Sequence, residues 1–266
     1  MSLPPPGTDR CAVVTGASSG IGAELARELA RRGHQVVLVA RTESKLDELA
    51  AEIGKGAHVL ATDLADRDAR RRLIDRIGAL GLVPEILVNN AGFSTLGPVH
   101  RSDPDAELTL LEVDVVALVD LCSRFLPGMV ERGRGALLNV ASTAAFQPLP
   151  GQAAYGAAKA FVLSYTQSLQ GELAGTGVSA TVLCPGPVET GFSAVAGFDD
   201  QEAHDALPSF MWLPAAEVAR AAVDGLDRGR SVVIPGVANR AGAAFARLAP
   251  KRLLVPLLAR NHPGLR

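Results

Sequence analysis

The sequence predicts an α/β protein: a single domain with a three-layer, doubly wound parallel sheet of about seven strands (a Rossmann fold). Two observations support this class. Short runs rich in Val, Leu, Ile and Ala, which is the composition of strands buried on both faces, alternate with helical patterns. A glycine-rich turn, T-G-A-S-S-G-I-G over residues 15–22, separates the first run from the first helical pattern. Alternating strands and helices form a parallel sheet because right-handed crossovers place helices on its faces.

The elements follow one another without a linker. Strands are expected at residues 11–15, 35–40, 57–61, 85–89, 135–141, 178–184 and 231–234. Helices are expected at residues 20–32, 43–53, 66–80, 105–132, 152–174 and 215–227. No Ser/Gly-rich or charged block interrupts them, so we expect one domain over residues 10–235. Residues 1–9 are expected to be a disordered lead, and residues 236–266 a basic amphipathic tail in which prolines 250, 256 and 263 end any long helix.

The composition excludes several classes of protein. A net charge of −2 gives no general attraction to nucleic acid. The three cysteines lie in apolar runs without metal-ligand spacing, so we expect no metal site, a reducing compartment and a cytoplasmic location. No run of eighteen apolar residues is present, so no membrane-spanning helix is expected.

The glycine-rich turn is typical of a dinucleotide phosphate site. It directly follows a predicted strand and opens a predicted helix, where backbone N–H groups and the helix dipole favour an anion. Its spacing is G-x-x-x-G-x-G, and the residues expected to contact the cofactor there are Gly16, Ser18, Gly20, Ile21 and Gly22. The alternative is a glycine turn that serves backbone geometry alone.

A second motif supplies acid–base chemistry. Tyr155 and Lys159 are four residues apart and therefore share one face of a helix, while Ser142 follows the fifth strand at the same sheet edge. Two unit charges about 4 Å apart interact by about 4 kcal/mol at an effective dielectric near 20 but by only about 1 kcal/mol in bulk water. A lysine therefore lowers a tyrosine pKa usefully only where water is excluded. The alternative is an ordinary amphipathic pair on a solvated helix.

Together, in this order, these motifs resemble those of the short-chain dehydrogenase/reductase family of the single-domain type, and the resemblance covers roughly residues 10–235. It implies the strand order 3-2-1-4-5-6-7. It implies that Tyr155 exchanges a proton with the substrate oxygen, that Lys159 lowers the Tyr155 pKa and binds the nicotinamide ribose, and that Ser142 hydrogen-bonds the substrate. Further cofactor contacts implied by the resemblance are Asp63, Leu64, Asn90, Ala91, Gly92, Pro185, Gly186, Val188 and Thr190. Alone, the N-N-A-G segment that contains Asn90 is equally typical of a turn without a ligand.

The end of the second strand favours NADP(H) over NAD(H). An NAD site has a carboxylate here to bind the ribose 2′-hydroxyl, but this strand ends in Ala40 and is followed by Arg41. A guanidinium binds a 2′-phosphate through paired donors, and Ser18 and Thr42 add hydroxyls nearby. The alternative is that Arg41 simply lies in solvent at a strand end.

One residue departs from the family pattern. The long helix after N-N-A-G usually carries an asparagine that kinks the helix and holds a proton-relay water through its backbone carbonyl. Asp114 occupies this position. Its backbone still supplies the carbonyl, but its carboxylate is expected to pair with Lys159 and to change the pH optimum.

The remaining regions concern substrate and partners. Residues 188–213 are expected to form a substrate lid rich in apolar side chains, which suits an apolar carbonyl or alcohol or else anchors the lid. The tail packs on its own subunit or on a neighbouring one, or else it contacts anionic lipid. We expect an NADP(H)-dependent oxidoreductase acting on a carbonyl/alcohol pair and forming a homodimer or homotetramer. The alternatives are a cofactor-binding sensor or scaffold with little turnover, or an epimerase or dehydratase of the same superfamily.

Overall fold

The fold is given by a computed structural model that describes residues 3–190, 207–261 and 263–265. The strands are β1 (Arg10–Thr15), β2 (Gln35–Val39), β3 (Ala57–Val59), β4 (Val83–Asn89), β5 (Gly135–Val140), β6 (Val178–Leu183), β7 (Val188–Glu189), β8 (Leu213–Pro214) and β9 (Val232–Val233). The α-helices are α1 (Gly20–Arg31), α2 (Glu43–Ile53), α3 (Arg67–Ala79), α4 (Pro104–Leu111), α5 (Leu118–Glu131), α6 (Ala153–Glu172), α7 (Ala215–Asp227), α8 (Val237–Leu248) and α9 (Lys251–Asn261). A π-helix (Glu112–Ala117) joins α4 to α5, and short 3-10 helices occupy Val99–Arg101, Thr143–Phe146, Ser209–Met211 and Pro263–Leu265.

Seven strands form one parallel sheet in the order β3-β2-β1-β4-β5-β6-β9. This confirms the doubly wound α/β class and the strand order 3-2-1-4-5-6-7. The order reverses between β1 and β4, and ligands bind at such a reversal because adjacent crossovers leave on opposite faces and open a crevice. A second sheet pairs β7 with β8, two-residue strands too short to be recognised from sequence.

The sheet divides the core into two halves. Successive residues of a strand point to opposite faces, so Val13 and Val37 pack with α3, α5 and α6, whereas Val14 and Leu38 pack with α1, α2 and α7. Both faces are therefore apolar, which explains the nearly continuous apolar runs in the sequence.

The helix expected at residues 105–132 is not uniform. α4 and α5 are separated by the π-helix, whose residues include Asp114. A π-helix widens the turn and changes the direction of the backbone groups. The buried guanidinium of Arg70 lies 2.8 Å from Glu112 at the start of this segment and 3.0 Å from Asp120 just beyond it, so it fastens the segment at both ends.

The two termini contact the domain. Before β1, the Leu3 N–H donates to Asp227 Oδ1 at 2.9 Å. After β9, α8 packs against the core through Ala243 and Ala246. Pro250 separates α8 from α9, but Pro256 lies inside α9, so the expectation that each proline ends a helix is wrong at this position. None of the helices in the described part of the chain has the length and apolar character needed to span a membrane.

Candidate active site

Hydrogen bonds join the carboxyl ends of β1 and β4, and the candidate site lies beside them. Thr15, the last residue of β1, accepts the backbone N–H groups of Asn90 and Ala91 at 2.9 and 3.0 Å and donates to Val88 O at 3.2 Å. The Asn90 amide donates to Thr15 O at 2.9 Å. The N-N-A-G segment is thus fastened to the glycine-rich turn, and these Asn90 contacts go to the protein backbone.

The glycine-rich turn has the geometry of an anion cradle. Gly16 and Gly20 have φ values of +64° and +55°, a region that glycine adopts without strain. A Cβ on Gly22 would lie 2.2 Å from Gly16 O, so the turn closes tightly onto the first turn of α1. The Ser19 side chain makes no capping hydrogen bond, and no acidic residue occupies the first turn of α1. The first-turn N–H groups and the helix dipole therefore suit a pyrophosphate.

The segment after β6 faces the glycine-rich turn across the candidate site. A Cβ on Gly20 would lie 3.1 Å from Thr190 Cγ2, so Thr190 faces the cradle directly. Val188, two residues earlier, is buried in the core beside α7. A cavity of about 510 Å³ opens beside this contact, and its lining includes Ser18, Gly20 and Thr190. Its described lining includes neither Tyr155 nor Lys159, so the cavity adjoins the cradle rather than the acid–base residues.

Asn239 of α8 supports the candidate site, and the sequence analysis did not single it out. It is buried, and its Nδ2 donates to Met211 O at 3.0 Å. A Cβ on Gly186 would lie 2.3 Å from Asn239 Oδ1, so the amide fills the space beside the P-G-P turn that contains Pro185. Asn239 shares one side of an alanine-rich helix with Ala243 and Ala246, which was the signal available in the sequence. A polar side chain on a buried helix face is costly without a hydrogen-bond partner, so its presence there indicates one.

Ser142, Tyr155 and Lys159 converge at the end of β5. Ser142 follows β5 and accepts the Ala144 N–H at 3.1 Å, which starts the 3-10 helix Thr143–Phe146. Lys159 Nζ lies 5.5 Å from the centre of the Tyr155 ring and donates to Val140 O at 3.3 Å. The Lys159 side chain is only 6% exposed. The helical spacing of four residues thus brings the phenol and the ammonium together in a place with little water.

Asp114 lies on the other side of the ammonium. Its Oδ2 is 2.9 Å from Lys159 Nζ, and its side chain is 0% exposed. Its Oδ1 accepts the Phe93 N–H at 3.0 Å. A Cβ on Gly92 would come within 2.9 Å of the carboxylate, so Gly92 is needed at this point for close packing. The ion pair expected from the sequence is therefore present.

The pKa values follow from burial and from this pair. Burial raises the pKa of Tyr155, Lys159 and the hydrogen bond with Ser142 work in the opposite direction, and Asp114 adds to the rise. Burial opposes the charge on Lys159, but Asp114 and Tyr155 outweigh it and raise the Lys159 pKa. Lys159 acts on the pKa of Tyr155 in the expected direction, but the net effect of all its neighbours is to raise that pKa. Desolvation and the Asp114 charge are the reasons.

Arg41, expected to bind the 2′-phosphate, follows β2, and the expected cofactor contacts Asp63 and Leu64 follow β3. Arg41 is exposed and immediately follows Ala40, and Ala17 N–H donates to Val39 O at 3.3 Å, which brings the turn containing Ser18 beside this strand end. Asp63 is exposed, and its Oδ1 accepts the Ala65 N–H at 2.9 Å. Leu64 is buried in the core, so little of its side chain is left to contact a cofactor.

The lid is only partly described. Residues 191–206 of the expected lid, 188–213, lie outside the described residues. Within the remainder, Phe210 is exposed, while Met211 and Trp212 are half-buried. Met211 is held by Asn239, which ties this end of the lid to α8.

Comparison with known proteins gives consistent relatives. The family model described as short chain dehydrogenase matches residues 10–200. Sulfoacetaldehyde reductase 2 of Chromohalobacter salexigens is 38% identical over 200 residues, which are 73% of this chain and 79% of the relative. The NADP-dependent 3-hydroxy acid dehydrogenase YdfG of Escherichia coli (strain K12) is 34% identical over 212 residues, 79% of this chain and 86% of the relative.

A solved structure is similar over nearly the whole chain. The short-chain dehydrogenase from Sphingobium yanoikuyae in complex with NADPH superposes with a TM-score of 0.79 at 33% sequence identity. The match covers 93% of this chain and 95% of that one.

Proposed function

Because the chain belongs to the short-chain dehydrogenase family and is therefore an oxidoreductase with a nucleotide cofactor, we propose that it transfers hydride between NADP(H) and a carbonyl or alcohol substrate. Tyr155 is the general acid or base of this reaction. The observation that carries the proposal is the convergence of the half-buried Ser142 and Tyr155 with the buried Lys159 at the edge of the sheet that also holds the glycine cradle.

The bound cofactor supplies the hydride chemistry at its nicotinamide ring. The chain's own residues manage the proton and the charge. The Ser142 hydroxyl orients the substrate oxygen, and the Tyr155 phenol gives its proton to that oxygen in reduction or accepts one in oxidation. Lys159 stabilises the phenolate that this transfer produces, and burial strengthens the effect because water does not screen it.

NADP(H) is the cofactor favoured by the end of β2. Arg41 is exposed where a carboxylate would bind a 2′-hydroxyl, and no acidic side chain follows until Glu43. A 2′-phosphate supplies the anion that a guanidinium binds. The name of the Escherichia coli relative and the ligand of the Sphingobium structure agree with this choice.

An apolar substrate is favoured by the lid. Leu207, Phe210 and Met211 precede β8 in a chain with only 4% aromatic residues. An apolar lid excludes water from the phenol and lysine and offers contact area to an apolar ketone, aldehyde or alcohol. Leu108 on α4 and Phe161 on α6 are large exposed apolar residues, and we propose a homo-oligomer that covers them.

A cofactor-binding sensor is the second candidate, and the Asp114–Lys159 ion pair is the observation that favours it. The carboxylate neutralises the cation that Tyr155 needs. A panel of apolar ketones and aldehydes with NADPH, followed by loss of absorbance of the reduced nicotinamide, separates the two. Turnover with any member supports the enzyme. NADPH binding without turnover across the panel favours the sensor and contradicts the proposal.

Arg41→Ala tests the cofactor choice. The expected result is a loss of NADPH affinity of about tenfold or more, with little change for NADH, because a charge-assisted hydrogen bond to phosphate contributes about 1.5–3 kcal/mol. Arg72→Ala, an exposed arginine on α3, is the matched control and should change neither Kd. An unchanged ratio of the two Kd values in Arg41→Ala would exclude this role.

A further inference from the structure

The C-terminal helices have an apolar stripe that no described part of the chain covers. On α8, Val237, Phe245 and Leu248 are 74%, 65% and 87% exposed, and they share one side of the helix with the exposed Ala241 and Ala244. The opposite side, with Asn239, Ala243 and Ala246, is buried. On α9, Leu253 and Leu257 lie one turn apart and are exposed, while Leu254 is buried. We call the exposed side of α8 and α9 the C-terminal stripe.

Cations border the C-terminal stripe. Arg240 and Arg247 follow each other along one flank of the α8 stripe, and both are exposed. Arg252 and Arg260 are exposed on α9. From residue 228 to residue 266 the chain has eight Lys and Arg and no Asp or Glu, which leaves 18 Lys and Arg against 28 Asp and Glu elsewhere. The charge of the molecule is therefore strongly polarised toward this end.

We propose that the C-terminal stripe docks the protein onto the surface of a bilayer that contains anionic lipid. Apolar side chains bordered by arginines are what an interfacial helix needs, because the apolar face enters the acyl boundary while the cations meet the headgroups. A second copy of the chain is a poorer occupant. A symmetric contact would place α8 and α9 against themselves, with the five Lys and Arg of these helices on each side and no carboxylate between residues 228 and 266 to compensate them.

The stripe is attached to the candidate active site. Lys251 Nζ donates to Phe146 O at 3.2 Å, and the Arg247 guanidinium lies 5.8 Å from the centre of the Phe146 ring. Phe146 ends the 3-10 helix that begins directly after Ser142. Docking itself is independent of the proposed function. Delivery of an apolar substrate from the bilayer to the site is a consequence that rests on the proposed function.

Vesicle sedimentation with the full chain tests the docking. The protein should pellet with vesicles of phosphatidylcholine and phosphatidylglycerol, bind pure phosphatidylcholine at least tenfold more weakly, and leave the anionic vesicles as salt is raised from 0.05 to 0.5 M, about a threefold shorter Debye length. Phe245→Ser/Leu248→Ser should weaken binding at least tenfold. Leu80→Ser changes an exposed leucine between α3 and the amino-terminal end of β4, outside the C-terminal stripe, and should leave binding unchanged.

The cation border is tested separately. Arg240→Gln/Arg252→Gln should weaken binding to anionic vesicles about tenfold or more, whereas Arg67→Gln/Arg72→Gln on α3 removes the same charge and should have no effect beyond about twofold. Circular dichroism checks that each variant folds. If the double serine variant does not fold, Leu248→Ser alone is measured and should still weaken binding several-fold, since this side chain is 87% exposed.

Three results would overturn the docking proposal. The first is failure of the unaltered protein to pellet with anionic vesicles, the second is equal binding to neutral vesicles, and the third is undiminished binding by the Phe245→Ser/Leu248→Ser variant. A change of that variant to a smaller assembly in light scattering, with no vesicle binding by the unaltered protein, would assign the stripe to contact between copies. NADPH oxidation with a water-soluble carbonyl, measured without vesicles, tests the proposed function independently of these outcomes.

Discussion

At the scale of single residues, the Asp114 carboxylate determines the charge around the phenol. Lys159 lies between Asp114 and Tyr155, 2.9 Å from the carboxylate and 5.5 Å from the ring centre. Removing one partner of a buried ion pair leaves an uncompensated charge, which costs about 3–5 kcal/mol. Asp114 therefore keeps Lys159 protonated, but it also opposes formation of the Tyr155 phenolate.

Asp114→Asn should move the pH dependence of the reaction to lower pH. The carboxylate raises the Tyr155 pKa, so its loss lowers that pKa. In alcohol oxidation the phenolate is the base, and the rising limb of the rate against pH should shift to lower pH. In carbonyl reduction the phenol is the acid, and the rate should begin to fall at a lower pH. Rate profiles in both directions measure the two shifts.

Glu112→Gln is the matched control for this change. Glu112 lies in the same π-helix and pairs with Arg70 rather than with Lys159. It should leave both pH midpoints in place, even if stability falls. Coincident profiles for Asp114→Asn and the unaltered protein would remove Asp114 from the proton chemistry.

At the scale of elements, α8 supports the P-G-P turn through one amide. Gly186 lacks a side chain where Asn239 Oδ1 lies 2.3 Å from the position of a Cβ. An alanine at residue 186 must displace Asn239 and with it the bond to Met211 O. The turn after β6 and the end of the lid are thus linked through a helix that follows them in the sequence.

A double-mutant cycle tests this link. Gly186→Ala should weaken NADPH binding in the unaltered protein and cost much less in an Asn239→Ala background, where the space is free. We expect a coupling energy of about 1 kcal/mol or more, since contacting residues couple by about 0.5–3 kcal/mol. NADPH titration of the four proteins gives the value. Additive effects would show that the contact does not position the turn.

The sequence predicts regular elements far better than their departures from regularity. The strand order and six of the helices follow from apolar periodicity and the resemblance, and Tyr155 and Lys159 are joined by helical spacing alone. The π-helix at Asp114 was not predicted because one additional residue per turn leaves hardly any trace in an apolar pattern. Asn239 was missed because its contact with Gly186 links residues 53 apart in sequence.

Helix α9 near the C-terminus also departs from what its sequence predicted. Pro256 was expected to end a helix, yet α9 continues through it. A proline in a helix interior removes one hydrogen bond and costs about 3 kcal/mol, and burial of Leu254, two residues earlier, offsets part of that cost. Whether a tertiary contact compensates a local penalty cannot be read from the local sequence.

At the scale of the whole molecule, a cluster of ion pairs links α1, the helix that follows the glycine-rich turn, to α7. Glu28 near the end of α1 is buried and pairs with Arg31 and Arg32 at 2.8 and 2.7 Å. Arg32 also lies 2.5 Å from Asp224 of α7. The hydrogen bond from Arg31 lowers the Glu28 pKa, and burial opposes it.

Glu28→Gln should lower Tm in a pH-dependent way. A lowered carboxylate pKa adds stability above the unfolded value near 4.5, and that contribution is lost as pH falls through the folded value. At pH 7 we expect a decrease of about 5 °C, and a smaller difference at pH 4. Glu48→Gln, an exposed residue of α2, is the control and should change Tm at neither pH. A decrease in Tm of equal size at both pH values would mean that charge on Glu28 is irrelevant.

The central claim is that the Tyr155 hydroxyl delivers the proton, and Tyr155→Phe tests it most directly. With NADPH and a carbonyl substrate from the panel, the rate of NADPH oxidation should fall by about 10²–10⁴-fold while the Kd for NADPH changes little. Tyr165→Phe, the chain's other tyrosine, which stacks on Phe161, should retain the full rate. Equal rates for Tyr155→Phe and the unaltered protein would contradict the account.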